Sequence, residues 1–224
     1  MKSKAGGMES DIYHRLFNRW AAADIARASF NARAVYLSSV EQVRVIGGTY
    51  RGRRLRTAEG LEVRPTSDRL RETLFNILAP KVTDSRFLDI CAGSGAVGIE
   101  ALSRGATHST FIESSRRASA VIEANLEALG IADASIVNQD ALSALKQFQE
   151  TDTQFDIIFF DPPYASELYG KAMELLGVGD LLAAGGIVVV EHRVKAPTEA
   201  RYGDLQIYRE VKQGESALAF YARV

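Results

Sequence analysis

Phe155-Asp156-Ile157-Ile158-Phe159-Phe160-Asp161-Pro162-Pro163-Tyr164 is an apolar run that ends in an acid, two prolines and a tyrosine. Its β-branched and aromatic content predicts a buried strand over 155–160. The closing tetrapeptide then lies at that strand's carboxyl end, where open α/β sheets hold their ligands. Two consecutive prolines set two φ angles and remove two backbone donors. A stiff loop results, with a carboxylate, exposed carbonyls and an aromatic face. This set suits a planar amino group. The Asp161 carboxylate and the Pro162 carbonyl accept its two hydrogens, and Tyr164 stacks on the heterocycle that carries it. A plain strand-ending turn would use prolines in the same way, so the rest of the chain decides.

Outward from this run the pattern alternates. Strands are expected at 86–91, 109–112, 135–138 and 186–191, and helices at 96–104, 115–129, 141–149 and 166–177. Strand-helix repeats of this kind argue for a parallel sheet covered on both faces. Two extended stretches, 205–211 and 217–222, flank Gly214 and read as a terminal antiparallel hairpin. Upstream, Val43 to Gly52 alternates β-formers and turns on glycines, with Arg53-Arg54-Leu55 as the return strand. Thr66 or Ser67 can cap a helix over 68–79, which Pro80 stops. The expected organisation is an extension over 1–42, poorly ordered and dispensable for the chemistry, a basic hairpin and helix over 43–80, and an α/β domain over 81–224.

Leu88-Asp89-Ile90-Cys91-Ala92-Gly93-Ser94-Gly95-Ala96-Val97-Gly98 ends the first of these strands and opens a helix. Its glycines match G-x-G-x-x-G, and Glu113 lies 20 residues after Gly93. A nicotinamide dinucleotide site is one reading. Three features favour S-adenosylmethionine instead. Asp89 would meet a cationic ligand group such as the methionine ammonium and would repel a pyrophosphate. Asp140, followed by Ala141, can accept from an adenine amino group. Asp161-Pro162-Pro163-Tyr164 has no role in hydride transfer. Ala92, Gly93 and Gly95 are the loop residues expected at the cofactor, with Glu113 on its ribose hydroxyls. Helix capping and loop solvation are the plain alternatives for Asp89 and Asp140. Cys91 reads as a small apolar residue, since no histidine is placed to activate it.

The chain has 224 residues, 46% apolar and 25% charged, as in ordinary globular proteins. No apolar run approaches the roughly 20 residues that span a bilayer. The single cysteine excludes an intramolecular disulfide and fits a reducing cytoplasm. The three histidines are scattered, so no metal is expected. Residues 1–81 carry 15 Lys and Arg against 8 Asp and Glu, whereas 82–224 carry 12 against 20. Five arginines and no acid fall within 43–56. Guanidinium groups favour phosphate, so a polyanion partner is expected at Arg44, Arg51, Arg53, Arg64 and Arg69.

Residues 43 to about 223 resemble the RsmD family of bacterial methyltransferases, which modify the exocyclic amino group of a guanine in 16S ribosomal RNA. The resemblance rests on VRVIGGTYRGRRL, RPTSDRLRETLFNIL, FLDICAGSGAVGIEALSRGA, Glu113 and FDIIFFDPPY, in that order. RPTSDRLRETLFNIL discriminates most, because the glycine loop and DPPY occur in many amino-methyltransferases. Residues 1–42 depart from the family pattern. The resemblance implies a Rossmann-like class I methyltransferase fold, a mostly parallel seven-stranded sheet with a C-terminal antiparallel hairpin. It implies S-adenosylmethionine as cofactor, Asp161, Pro162 and Tyr164 at the reacting amino group, and action on 16S ribosomal RNA or the assembling small subunit; a monomer is expected. Adenine amino-methylation of DNA or RNA is the alternative reading.

Overall fold

Phe155–Phe160 forms strand β4, and its pattern of burial explains its composition. Ile158 and Phe160 point to one face of the sheet and Ile157 and Phe159 to the other, and all four are shielded from solvent. A strand covered on both faces needs apolar residues at successive positions. Each such phenylalanine contributes roughly 1.5–3 kcal/mol by burial. A computed structural model describes residues 43–57, 67–162 and 168–224 of the chain.

Four further parallel-sheet strands and helices follow the expected order. Helix α1 is Asp68–Val82, β1 Arg86–Ile90, α2 Ala96–Ser103, β2 His108–Ile112, α3 Arg116–Leu129, β3 Ala134–Val137 and α4 Ala141–Glu150. After β4 come α5 Leu168–Val178, β5 Leu182–Arg193, β6 Arg201–Tyr202, β7 Leu205–Gln213 and β8 Ser216–Arg223. The strands form one sheet in the order β3-β2-β1-β4-β5-β8-β7-β6. Strands β1 to β5 pair in parallel, and β8, β7 and β6 add antiparallel pairs. Helices α4 and α5 cover one face, packing Leu145, Met173 and Leu176 on Leu88, Ile158 and Val190. Helices α1 and α2 cover the other, packing Leu74, Phe75 and Val97 on Phe87, Phe159 and Val189.

Three departures from the sequence reading have local causes. Helix α1 runs through Pro80 to Val82. So near the helix end, the proline forfeits one hydrogen bond and leaves the turn standing. Strand β5 begins at Leu182, ahead of the small residues Ala183 to Gly186, with a register shift against β4 between Phe155 and Ile157. The two-residue β6 makes the sheet eight-stranded rather than seven-stranded, and it is too short to leave a periodic signal. Ser67 caps α1, its hydroxyl accepting from the Leu70 N–H at 3.3 Å. The expectations for residues 1–42 and for Arg64 and Thr66 lie outside the described residues.

The basic hairpin shares the core of the sheet unit, Val43–Val224. Arg44 and Arg54 pair across it, and the Val45 and Leu55 N–H groups donate to the Arg53 and Val43 carbonyls, each at 2.9 Å. Val43, Val45 and Leu55 pack on Ile99 of α2, Phe111 of β2 and Ile122 of α3. The Glu100 carboxylate, fully buried in α2, accepts the Ile46 N–H at 2.7 Å and the Gly47 N–H at 2.8 Å. Ser103 Oγ, at the end of α2, accepts the Tyr50 N–H at 2.9 Å. The hairpin therefore lies along α2, with its turn at that helix's far end.

Candidate active site at the carboxyl edge of the sheet

Parallel β1, β2 and β4 end at the same edge, which brings together segments distant in sequence. Ile112, the last residue of β2, receives the N–H groups of Cys91 at 3.0 Å and Ala92 at 3.1 Å through its carbonyl. Glu113 follows at once. Its carboxylate accepts the Gly93 N–H at 2.9 Å and the Ser115 N–H at 2.8 Å, which binds the glycine loop to the start of α3. Asn138 donates to the Glu113 carbonyl at 2.8 Å and to Ser119 Oγ at 3.0 Å, and so ties in the end of β3. The Asp161 N–H reaches the Ile90 carbonyl at 3.4 Å, extending the β1–β4 ladder to the proline loop. Asp161 is half-buried and Pro162 is buried. Tyr164 lies outside the described residues.

The three glycines of the loop differ in function. At Gly93, φ is +57° and an added Cβ would meet open space, so this residue shows its backbone to the cleft. A Cβ at Gly95 would approach Ile122 and Phe111 at 3.2–3.3 Å, so the Cβ direction of this loop residue faces the protein. At Gly98 a Cβ would lie 2.3 Å from the Phe111 ring, so glycine here lets α2 sit close on β2.

Asp89 lies beneath the loop rather than on its surface. It is 2% exposed, and one carboxylate oxygen accepts the Gly98 N–H at 2.9 Å. Burial raises its pKa from the ordinary 3.8 to about 7, the Gly98 bond opposes this, and the charge of Glu113 adds to it. Because the folded protein holds this proton more tightly than the unfolded chain, stability should fall as pH rises from about 4 to about 7. The contribution is roughly 4 kcal/mol. Asp89→Asn keeps an acceptor for Gly98 and should remove that slope in denaturation curves measured across the window. An unchanged slope would exclude Asp89 as its source.

Asp140 caps α4, its carboxylate accepting the Ser143 N–H at 3.0 Å. That bond holds its pKa below the ordinary carboxylate value. The side chain is exposed and charged, with a second oxygen beyond the capping one. Ala141 is buried at the first turn of α4, and Ala92 is half-buried in the loop. Burial, then Glu113, Asp161 and Asp89, push the Cys91 thiol up to about 12. The thiol stays protonated and is no nucleophile. The charges that act on it are carboxylates from the ends of β1, β2 and β4. Such a site attracts a cation and hydrogen-bonds hydroxyls, and it repels pyrophosphate. These residues fit S-adenosylmethionine.

The arginines divide into two groups. The side chain of Thr73 in α1 bonds to Gln213, beside the Arg193 and Ser216 pair at the end of β5, so the exposed Arg69 stands at the carboxyl edge. Arg44 joins it there through an ion pair with Asp68 at 3.1 Å. Arg51 lies in the hairpin turn, about one length of α2 away, which is roughly 12 Å. Arg53 donates to the Ala128 carbonyl in the last turn of α3. The course of the hairpin along α2 spreads these arginines out. The sequence reading missed Glu100, Asn125 and Asn138 as organising residues. Glu100 in the apolar helix AVGIEALS, and an asparagine within a helix, were the available signals.

With β8 inserted antiparallel between β5 and β7 at the end of a parallel sheet, the fold is that of the class I methyltransferases. The ribosomal protein L11 methylase from Lactobacillus delbrueckii shares it, with a TM-score of 0.54 over 69% of this chain and 79% of that one, a likeness of fold alone at 18% identity. Residues 43–222 match the family described as "Conserved hypothetical protein 95", and the chain belongs to that family. It is 40% identical over 182 residues to the ribosomal RNA small subunit methyltransferase D of Escherichia coli, which covers 81% of this chain and 90% of that protein. The corresponding enzyme of Haemophilus influenzae is 39% identical over 158 residues, 70% of this chain and 81% of that one. A solved structure of the Escherichia coli protein yhhF has a TM-score of 0.73 at 38% identity and covers 81% of this chain and 98% of that one. The expected family is borne out.

Proposed function

We propose that this protein methylates the exocyclic amino group of a guanine in 16S ribosomal RNA, using S-adenosylmethionine. The convergence of Asp89, Glu113 and Asp161 on the glycine loop carries the reading, because it favours a cationic cofactor. The names of the relatives support the RNA substrate. Bound S-adenosylmethionine supplies an electrophilic methyl group, so no Lewis acid is required. Gly93 and Ala92 would present backbone to it, Glu113 would hold its ribose hydroxyls, and Asp140 with Ala141 would border its adenine. Asp89, once it gives up the proton that burial holds on it, adds negative potential from below.

The amino lone pair of guanine is delocalised into the ring and is a poor nucleophile. Accepting its two hydrogens at the Asp161 carboxylate and the Pro162 carbonyl favours a more tetrahedral nitrogen. Tyr164 stacks on the base, worth roughly 1–3 kcal/mol. A paired guanine must first leave its stack. The acid that orients the amino group also stands ready to take the proton lost after transfer. Holding both reactants in line accounts for most of the acceleration, on the order of 7–11 kcal/mol. Arg44 and Arg69 would grip phosphates near the base, Arg51 and Arg53 phosphates farther along, and Arg64 is a further candidate for a phosphate contact.

The test supplies methyl-labelled S-adenosylmethionine with naked 16S ribosomal RNA and, separately, with small subunits, and then identifies the product nucleoside by mass spectrometry. N2-methylguanosine is expected. N6-methyladenosine would establish the adenine reading, and no incorporation into either substrate would overturn the proposal. Replacing Arg51, Arg53 and Arg54 together by alanine should weaken RNA binding and lower its salt-dependence slope by up to about 3. Calorimetric affinity for S-adenosylhomocysteine should not change. An unaltered salt titration in the folded variant would move the RNA surface elsewhere.

A further inference from the structure

Asn125 sits in the middle of α3, at a place where the reaction described above has no use for it. It is 2% exposed, and its side-chain amide is fully engaged. The oxygen accepts the Arg56 N–H at 2.8 Å. The nitrogen donates to the Arg56 carbonyl at 3.1 Å and to the Ser94 carbonyl at 3.0 Å. Arg56 follows the return strand of the basic hairpin. Ser94 lies between Gly93 and Gly95, both with positive φ. One buried amide therefore grips both the N–H and the carbonyl of one hairpin residue and, with the same nitrogen, the glycine loop. Glu100, a second anchor of the hairpin, holds Ile46 and Gly47, and its bonds among the described residues go to the hairpin and Arg104 rather than to the loop. Asparagine is a poor helix former, and a buried amide left unsatisfied is costly, so the position is specified by these three bonds.

We infer that Asn125 is a positioning residue that couples RNA binding at the hairpin to cofactor binding at the glycine loop. The inference rests on the reading of the hairpin as RNA-contacting. RNA that seats Arg54 and Arg56 fixes the Arg56 peptide. That peptide orients the Asn125 amide, and the amide holds the Ser94 carbonyl in the position that leaves the Gly93 backbone presented to the cleft. By linkage, a cofactor that orders the loop must tighten RNA binding by the same factor.

Calorimetry measures the dissociation constant of S-adenosylhomocysteine with and without saturating 16S ribosomal RNA. Wild-type protein should bind it about fivefold or more tightly with RNA present. Asn125→Leu, of similar shape, removes all three bonds. Asn125→Asp keeps the acceptor for the Arg56 N–H and loses both donated bonds. Each should bind both ligands separately and show a factor below about twofold. Hydrogen exchange needs no variant: RNA alone should slow exchange at the Arg56, Gly93 and Gly95 amides of the wild-type protein together. Protection confined to the hairpin, no coupling in the wild-type protein, or full coupling in a folded Asn125 variant would each overturn the inference. Failure of wild-type protein to bind either the RNA or small subunits would overturn it along with the proposed function, whereas uncoupled binding of both ligands sinks the inference alone.

Discussion

An Asp161→Ala variant should bind S-adenosylmethionine and transfer methyl groups on the order of 10³-fold more slowly. Its backbone N–H bonds to the Ile90 carbonyl whatever the side chain, so the β1–β4 ladder and the buried Pro162 should keep the loop in place. What is lost is the acceptor for the amino group and the negative charge beside it. That interaction strengthens as the nitrogen acquires positive charge, so the loss should fall on kcat more than on KM. Asp161 is also one of the charges that raise the Cys91 thiol. The variant should therefore show a lower Cys91 pKa, a second reading that reports on the electrostatics independently of turnover. Asp161→Asn, which keeps an acceptor oxygen without the charge, should fall between. Wild-type turnover in the alanine variant would leave Asp161 only a structural part, and loss of cofactor binding would place it at the cofactor instead.

The largest effect on stability is expected at Glu100. Its carboxylate is fully buried and serves two backbone N–H groups of the hairpin, with Arg104 Nε at 2.7 Å and Arg71 Nε at 3.9 Å. Arg71 is itself buried; burial lowers its pKa, and the charges of Asp68 and Glu100 counter that. Glu100→Ala removes the common partner and leaves two backbone donors and the Arg104 Nε without it inside the protein, while Arg71 keeps its ion pair with Asp68. Breaking a buried charge network from one side costs about 3–5 kcal/mol. Denaturant unfolding should show that loss, and RNA binding should weaken because the hairpin loses its seat. A change under about 1 kcal/mol would mean that water or a neighbouring group satisfies those donors.

Local chemistry made much of this protein readable. FDIIFF announced a strand buried on both faces because all its positions but Asp156 obey the same demand. Gly130 ended α3 in the left-handed conformation that glycine adopts at little cost. The loop LDICAGSG and the acid 20 residues after Gly93 were legible because ligand approach to a backbone after a strand restricts residue types over a short span. The directions of individual side chains were not legible. Asp89 was expected to greet a ligand and is buried against Gly98, and the Cβ direction of Gly95, expected at the cofactor, is toward Ile122. In each case the outcome depends on which neighbour fills the space, and that neighbour is set by how α2 and α3 pack on the sheet.

The same limit applies to the polar residues that join distant segments. Glu100 meets Ile46 across 54 positions, and Asn125 meets Arg56 across 69. A helix pattern shows that such a residue breaks an apolar face, but not which backbone groups will need it. Buried N–H groups must find acceptors, and the hairpin acquires that need only by lying along α2, which also carries Arg51 away from the carboxyl edge. Strand, loop and family were written in short runs of residues. The seating of the hairpin on the glycine loop arises from packing, because only the assembled core decides which polar groups lose their water and have to find one another.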